Sequence, residues 1–178
     1  MAKLPRCYWD STCFLAWLKP EEENKRACQE VISAAERGEI QIVTSAVSLT
    51  EVIKLHKGLP IEIPKEHEER IVTFFQQEYI VVVQVTRFIA EDARSLIWRF
   101  PSLKPKDALH AATAVYAQAH SGPLEELHTF DRDFLPLDGK IGSPALRIRK
   151  PQMAQPPLPL EAPVAASADT AEEEDEVN

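Results

Sequence analysis

The chain has 178 residues, of which 44% are hydrophobic, 27% charged and 7% aromatic, and its formal net charge is −8. This composition is typical of a soluble protein with one packed domain, and the length leaves little room for two. No apolar run approaches the roughly 20 residues of a membrane helix, and MAKLPRCYWD at the N-terminus lacks the apolar core of a signal peptide. The 3 cysteines form no CxxC pair, which favours free thiols, so we expect a cytoplasmic protein.

Strands and helices are predicted to alternate along most of the chain. A strand is predicted wherever apolar or β-branched residues alternate or form a short run. The predicted strands are RCYWD (6–10), EIQIV (39–43), YIVVVQV (79–85), ELHTF (126–130) and ALRIR (145–149). A helix is predicted where apolar residues recur every three or four positions. The predicted helices cover residues 11–18, 24–37, 45–58, 65–77, 86–100 and 104–120.

Local signals define several of these elements more closely. Gly38 stands where a glycine commonly follows the end of a helix. Ser45 is predicted to cap the third helix and Gly58 to end it. The β-branched run YIVVVQV predicts a strand that is buried on both faces of a parallel sheet, whereas ALRIR is predicted to be an edge strand.

The order of these elements predicts an α/β fold for residues 1–150, a three-layer α/β/α sandwich with a mostly parallel central sheet. Residues 151–178 differ in composition, because they hold seven of the 28 acids and none of the 20 lysines and arginines. Their Pro-rich start and the self-repelling AEEEDEVN end predict a disordered acidic tail. Two roles for this tail remain open: a solvated end, or an intramolecular decoy that competes with a polyanion for the folded part.

Four acids are placed by these predictions near the carboxyl ends of strands, where parallel α/β sheets bind their ligands. Asp10 ends the first strand, and Asp131 follows the fourth. Glu51 and Asp107 fall in the first turns of helices that could open onto the same edge. Each acid also has a purely structural explanation. Asp10 and Asp131 could cap the turns that follow them, Glu51 completes an S-x-x-E capping box, and Asp107 would complement a helix dipole.

Taken together, four carboxylates at one edge require more than these local explanations. Unit charges about 4 Å apart repel by about 4 kcal/mol at an intermediate dielectric, so protons or cations must neutralise such a set. Carboxylate oxygens suit Mg²⁺ or Mn²⁺, and no histidine or cysteine pattern with zinc spacing competes. His110 lies on the predicted helix of Asp107, and we interpret it as a packed core residue rather than a ligand.

Four motifs resemble those of PIN-domain nucleases of the VapC-like toxin type. They are YWDSTCFLAWL (8–18), SAVSLTEV (45–52), KDALHAATA (106–114) and LHTFDRDF (127–134). The motifs occur in the order found in that family, and the resemblance extends over residues 6–149. DALHAATA and TFDRDF are the most specific of these pieces.

The resemblance implies a PIN-like fold and a ribonuclease that depends on Mg²⁺, with Mn²⁺ as a substitute. The acids that it implies as catalytic residues and metal ligands are Asp10, Glu51, Asp107 and Asp131. Asp133 is a further candidate ligand, because DRD offers two carboxylates. Ser11 and Thr129 match hydroxyl positions that assist the site in relatives. One or two ions are compatible with such a set.

The reaction expected of this site is hydrolysis of an RNA phosphodiester, which leaves a 3′-hydroxyl and a 5′-phosphate. Lys104 and Lys106 flank the Asp107 position and are predicted to contact RNA phosphates. The alternative for both is that they are ordinary solvated lysines.

Other functions remain open beside that of a toxin. A toxin implies a small antitoxin protein as partner, and we also expect a homodimer. The alternatives are a PIN nuclease that processes RNA without being a toxin, and a catalytically silent module that keeps the fold and binds protein or RNA. A phosphatase of the haloacid-dehalogenase type is disfavoured, because Asp10-Ser11-Thr12 lacks the second acid of a D-x-D motif.

Overall fold

The computed structural model describes residues 4–18, 22–53 and 64–152, in which strands alternate with helices. The strands are β1 (Arg6–Trp9), β2 (Gln41–Ser45), β3 (Ile80–Val83), β4 (Leu124–His128) and β5 (Arg147–Arg149). The helices are α1 (Ser11–Leu18), α2 (Glu22–Glu36), α3 (Val47–Glu51), α4 (Lys65–Phe75), α5 (Arg87–Arg99), α6 (Pro105–Ser121) and a 3₁₀ helix (Arg132–Leu137). None of the helices in these ranges is long and apolar enough to cross a membrane.

The strands form one parallel sheet in the order β3-β2-β1-β4-β5. The chain builds outward from β1 to β2 and β3, and then crosses over to β4 and β5 on the other side of β1. A reversal of this kind opens a crevice at the carboxyl ends of the central strands, where α/β proteins bind their ligands. The predicted α/β fold is confirmed, and every strand pair is parallel.

Helices pack on both faces of the sheet, as the predicted three-layer sandwich requires. Neighbouring residues of β1 point to opposite faces, because side chains alternate along a strand. Tyr8 belongs to a buried cluster that also holds apolar residues of α5 and α6. Cys7 and Trp9 belong to a second cluster, which includes buried residues of α1 and α2.

Strand β3 lies at one edge of the sheet, so the prediction that its β-branched run is buried on both faces is wrong. It pairs with β2 alone, and Val81–Val83 are only half-buried. A run of β-branched residues fits any pleated surface and does not distinguish a central strand from an edge strand. Strand β5 is the opposite edge, as predicted.

The helix after β2 is shorter than predicted and starts later. Ser45 is the last residue of β2, and α3 begins after Ala46, which makes no side-chain capping bond. Ser45 is therefore not the N-cap residue that was predicted, although its hydroxyl accepts a hydrogen bond of 3.3 Å from the Val47 N–H at the start of α3. Parallel pairing extends through Ser45, which lies opposite Val83 of β3 and so belongs to the sheet.

The capping box predicted around Glu51 is also wrong. Ser48 lies within α3, and its hydroxyl is 2.7 Å from that of Thr44 instead of bonding a free helical N–H. Glu51 is the last residue of α3, not a residue of its first turn. The predicted helix end at Gly58 lies outside the described residues.

The bounds of β4 differ from the prediction, whereas the glycine predicted to follow α2 is in place. Strand β4 starts and ends two residues earlier than predicted, which leaves Thr129 in the loop that follows it. Gly38 follows α2 with a φ of +72°, a left-handed conformation that favours glycine, as predicted for a helix end. Residues 153–178 of the predicted tail lie outside the described ranges, so the domain boundary at 150 stays a prediction.

Candidate active site

The predicted acids lie at the carboxyl edge of the sheet, either shortly after a strand or on one of the helices α3 and α6. Asp10 directly follows β1, and Glu51 ends the short helix after β2. Asp131 comes three residues after β4, at the start of the 3₁₀ helix. Asp107 lies in the first turn of α6.

Helix α6 can approach the sheet closely because its buried face consists of small side chains. Ala108, Ala111, Ala112 and Ala114 are each at most 1% exposed and belong to the core beneath the sheet. Close packing of this kind restricts the position of the first turn, and with it the position of the Asp107 carboxylate.

Three carboxylates come together in this crevice. Asp107, Asp131 and Asp133 each offer one oxygen, and these oxygens all lie within 4.8 Å of one another. We call these residues the three-acid group. Asp133 belongs to it, whereas Asp10 and Glu51 lie outside it. The structure thus brings three of the five acids that the sequence singled out within this distance of one another, and the charge of Glu51 still acts on Asp107 from outside the group.

Asp107 is the least satisfied member of the three-acid group. Its Oδ2 is buried and has no hydrogen-bond partner among the described residues. Burial raises the pKa of Asp107, and the negative charge of Asp131 raises it further, while the charge of Lys104 acts in the opposite direction. A buried carboxylate oxygen without a donor is costly unless something else neutralises it.

The other two members are arranged by the turn that follows β4. Asp131 caps the 3₁₀ helix, because its Oδ1 accepts a hydrogen bond of 2.9 Å from the Asp133 N–H. This confirms the structural role predicted for Asp131, and it leaves Oδ2 of Asp131 outside the cap. Asp133 is exposed, and its Oδ2 lies 2.5 Å from the ammonium of Lys104.

Asp10 has the opposite surroundings, since both of its oxygens accept hydrogen bonds. Oδ1 accepts from the Thr12 hydroxyl (2.6 Å), the Thr12 N–H (3.0 Å) and the Cys13 N–H (3.2 Å). Oδ2 accepts from the Thr129 hydroxyl at 2.6 Å. Asp10 is 2% exposed, and this burial raises its pKa, although the bonds from Thr12 and Thr129 act against the rise.

Two threonines tie Asp10 to the loop after β4. The Thr129 hydroxyl that donates to Asp10 also accepts from the Asp131 N–H at 2.9 Å. The Thr12 hydroxyl likewise accepts from the Phe130 N–H at 2.9 Å. Thr129 was predicted to support the site, but Thr12 was missed. A hydroxyl two residues beyond an acid that starts a helix is the local signal that could have indicated it.

Glu51 is held by a histidine and a lysine of α6. Its Oε2 lies 2.8 Å from Nε2 of His110, and its Oε1 lies 3.2 Å from Nζ of Lys106. The Ser11 side chain also hydrogen-bonds Glu51, which gives this predicted supporting residue a partner. The hydrogen bond from His110 is the main reason why the pKa of Glu51 falls to about 2.

His110 connects Glu51 to the core of the sheet. It is 1% exposed, and its Nδ1 lies 2.8 Å from the Tyr8 hydroxyl of β1. Because a carboxylate only accepts, the Nε2–H donates to Glu51, which leaves Nδ1 to accept from Tyr8. His110 is packed and satisfied, as we interpreted it from the sequence, but it also orients Glu51. The sequence signal for this role was the spacing of three residues between Asp107 and His110, which places their side chains on the same face of the helix.

The three-acid group has the donor chemistry of a site for a hard divalent cation. Mg²⁺ and Mn²⁺ prefer carboxylate oxygens, and Mg²⁺ usually takes only one or two carboxylates together with water. The unpartnered Oδ2 of Asp107 fits such a role, because a cation would supply the missing partner. Asp107, Asp131 and Asp133 are therefore the residues that fit a metal ion best among those described.

Comparison with known families identifies the class. The PIN domain family model matches residues 7–140, which is most of the chain. The chain therefore belongs to the PIN domain family, and the resemblance predicted from its four motifs is confirmed. PIN domains are generally nucleases. A comparison with curated protein sequences gives no significant match.

Solved structures with the same fold come from bacterial toxin-antitoxin systems. A toxin-antitoxin complex from Klebsiella pneumoniae is 20% identical, with a TM-score of 0.51 over 83% of this chain and 99% of that chain. VapBC2 from Rickettsia felis, bound to a DNA fragment of its promoter, is 12% identical, with a TM-score of 0.55 over 82% of this chain and 98% of that chain. At these identities the likeness concerns the fold.

Proposed function

We propose that this PIN domain is a Mg²⁺-dependent endoribonuclease of the VapC-like toxin type. The observation that carries the proposal is the three-acid group with its unpartnered, buried Asp107 oxygen. The group lies at the carboxyl edge of a parallel sheet, in a chain whose family generally cleaves nucleic acids. The substrate is an RNA phosphodiester, and Mn²⁺ replaces Mg²⁺.

In this proposal some of the acids bind the ion, and the others position the loop, the ligands or the water around it. Asp107, Asp131 and Asp133 are the direct ligands in this proposal, since their oxygens converge. Asp10 fixes the loop that carries Asp131 through the Thr129 hydroxyl. The pKa of Glu51 falls to about 2, so Glu51 stays ionised at neutral pH and can align water or a ligand's water shell near the group.

The chemistry supplied by a bound Mg²⁺ is activation of water and stabilisation of the charge that develops on the phosphate. The residues of the chain orient the attacking water, and a carboxylate that is not saturated by hydrogen bonds accepts its proton. Because Oδ2 of Asp107 is assigned to the ion, the proton acceptor in this proposal is a carboxylate oxygen of the three-acid group that does not hold the ion. Water as nucleophile leaves a 3′-hydroxyl and a 5′-phosphate.

The two lysines near the acids are candidates for RNA contacts. Lys106 and Lys104 are both exposed in more than half of their side chain, although each is paired with an acid. An RNA phosphate that enters the crevice can replace either acid as the partner of the ammonium group. Such contacts would make RNA binding depend on salt.

Exposed apolar side chains support the proposed protein partners. Phe88 and Trp98 of α5 are 73% and 71% exposed, and Leu49 and Ile53, around the end of α3, are each 47% exposed. Exposed apolar side chains that form a contiguous patch commonly mark interfaces, whereas single ones are common on any surface. We propose that these surfaces serve a homodimer and a small antitoxin in the cytoplasm.

The activity is tested on a mixed RNA pool with Mg²⁺, with Mn²⁺ and with a chelator, followed by mapping of the product ends. We expect internal cuts only with metal, with 5′-phosphate and 3′-hydroxyl ends. Asp92→Asn on α5, where the acid is exposed and outside the site, is the matched control and should cut normally. Cuts that persist in the chelator, or products with cyclic phosphate ends, would exclude the metal-dependent mechanism.

The toxin assignment is tested by controlled expression in a bacterial host. We expect growth arrest by the wild-type chain and none by Asp107→Asn at equal protein levels. RNA cleavage in vitro without growth arrest would favour the RNA-processing alternative. The absence of both, with metal and RNA still bound, would favour the silent interaction module.

A further inference from the structure

The ion pair between Lys104 and Asp133 places a positive charge directly on the three-acid group. Lys104 is the residue immediately before α6, three residues before Asp107 in the sequence. Its Nζ lies 2.5 Å from Oδ2 of Asp133, which is also one of the converging acids. A cation that binds all three carboxylates would therefore approach a carboxylate that already pairs with an ammonium group.

The charge of Lys104 acts on the whole group and not on Asp133 alone. Asp133 raises the pKa of Lys104 most, through their hydrogen bond, and the charges of Asp107 and Asp131 raise it as well. Conversely, the charge of Lys104 lowers the pKa of Asp107. The ammonium group thus partly compensates the carboxylate repulsion that a divalent cation would otherwise relieve.

Lys106 provides the contrast, because it lies only two residues further along α6. Its Nζ pairs with Glu51 at 3.2 Å, and Glu51 is outside the three-acid group. The two lysines have similar exposure, 67% and 69% of the side chain, and carry the same charge. They differ in the carboxylate with which each is paired, Asp133 for Lys104 and Glu51 for Lys106.

We propose that the Lys104 ammonium is a tethered counter-cation, which a divalent ion must displace from Asp133 before the three carboxylates can hold it. This inference rests on the metal-dependent function proposed above and goes beyond it, because it assigns Lys104 to the control of metal loading. Displacement also frees Lys104 for a phosphate, so metal binding and RNA binding assist each other. When the ion binds, the ammonium group of Lys104 becomes free to bind an RNA phosphate.

The test compares Mn²⁺ affinity by calorimetry for the full-length wild-type chain, Lys104→Met and Lys106→Met. Each variant removes one positive charge close to the crevice, but only the first removes the competitor. An exposed ion pair contributes up to about 1 kcal/mol, so we expect Lys104→Met to bind Mn²⁺ more tightly by up to about five-fold. Lys106→Met should change the affinity by less than about two-fold, and Lys104→Arg, which keeps the pair, should not tighten it.

The outcomes separate the two proposals. Equal affinities of wild type and Lys104→Met, or equal gains from both methionine variants, would overturn the displacement model and leave the metal-dependent nuclease intact. No Mn²⁺ binding by any of the three proteins would overturn the metal site itself. A gain confined to Lys104→Met, accompanied by weaker binding of a short single-stranded RNA in Mn²⁺, would support direct displacement.

Discussion

The acids at the carboxyl edge of the sheet fall into two sets with contrasting surroundings. Asp10 and Glu51, which we call the bonded acids, accept hydrogen bonds from threonine, backbone, histidine and lysine donors. In the three-acid group, Oδ2 of Asp107 has no partner in the described part of the chain, and one oxygen of each acid lies within 4.8 Å of the others. Under the proposed function, the bonded acids serve as scaffold and the three-acid group as ligands, and the donors around each carboxylate distinguish the two roles.

The largest difference between the sets should appear on replacing Asp107 by asparagine. The raised pKa of Asp107 means that its ionised form is disfavoured in the fold, so removing the charge should leave metal-free stability unchanged or higher. RNA cleavage should nevertheless fall by about 10² to 10³-fold, since a group that acts on the transition state is lost. Urea denaturation without metal and a cleavage assay with Mg²⁺ measure the two effects. Full cleavage by a less stable variant would make Asp107 a helix-start residue only.

Metal binding should depend on the three-acid group far more than on the bonded acids. Saturating Mn²⁺, at about 100 times its Kd, should stabilise the wild-type fold by about 2.7 kcal/mol, which is visible as a higher Tm. We expect Asp131→Asn to abolish this increase and Glu51→Gln to retain most of it. A loss of the Mn²⁺ effect in Glu51→Gln as well would place Glu51 among the ligands and break the proposed division.

The scaffold role of Asp10 is tested through its partner Thr129. Thr129→Val keeps the shape of the side chain but leaves Oδ2 of the buried Asp10 without its donor and the Asp131 N–H without its acceptor. We expect a loss of about 1 to 3 kcal/mol in the free energy of unfolding, measured in urea. Thr50→Val is the control, because that hydroxyl is exposed and bonds only within α3, and it should cost less than about 0.5 kcal/mol. Equal losses would contradict the scaffold role.

The smallest effect concerns the pH dependence that Glu51 contributes. Its folded-state pKa of about 2 lies below the ordinary value of 4.5, so its ionised form stabilises the fold above pH 4.5. That contribution should decrease as the pH falls from 4.5 towards 2. Wild type should therefore exceed Glu51→Gln in stability at pH 6, and the difference should shrink across this window. A difference that does not vary with pH would mean that the His110 bond does not depend on the charge.

Some features of the protein followed from local patterns. Alternating strands and helices indicated the α/β sandwich, and the periodicity of residues 104–120 indicated the helix that carries Asp107. Asp131 capping its turn was equally local, because an acid at the start of a turn bonds an N–H two residues later. Patterns of this kind depend on neighbours in sequence, which a linear analysis can see.

Other features depended on residues far apart in the chain. Thr129 and Asp10 are separated by 119 positions, and His110 and Glu51 by 59, so their bonds have no periodic signature. The edge position of β3 depends on which strands pair, and its β-branched run does not encode that. The start of α3 was predicted two residues too early, because Ser45 pairs with Val83 of β3 as part of the sheet.

The amino-acid sequence by itself determined the class of fold, the family resemblance and the set of acids that meet at one edge of the sheet. Only the tertiary structure divided that set, since hydrogen-bond donors from the loop after β4, from α1 and from α6 reach Asp10 and Glu51, whereas no described residue donates to Oδ2 of Asp107. It also brought Lys104 to Asp133 across 29 positions of sequence. The physical reason is that a carboxylate's role depends on the donors and charges within a few ångströms of it, and the fold alone decides which groups those are.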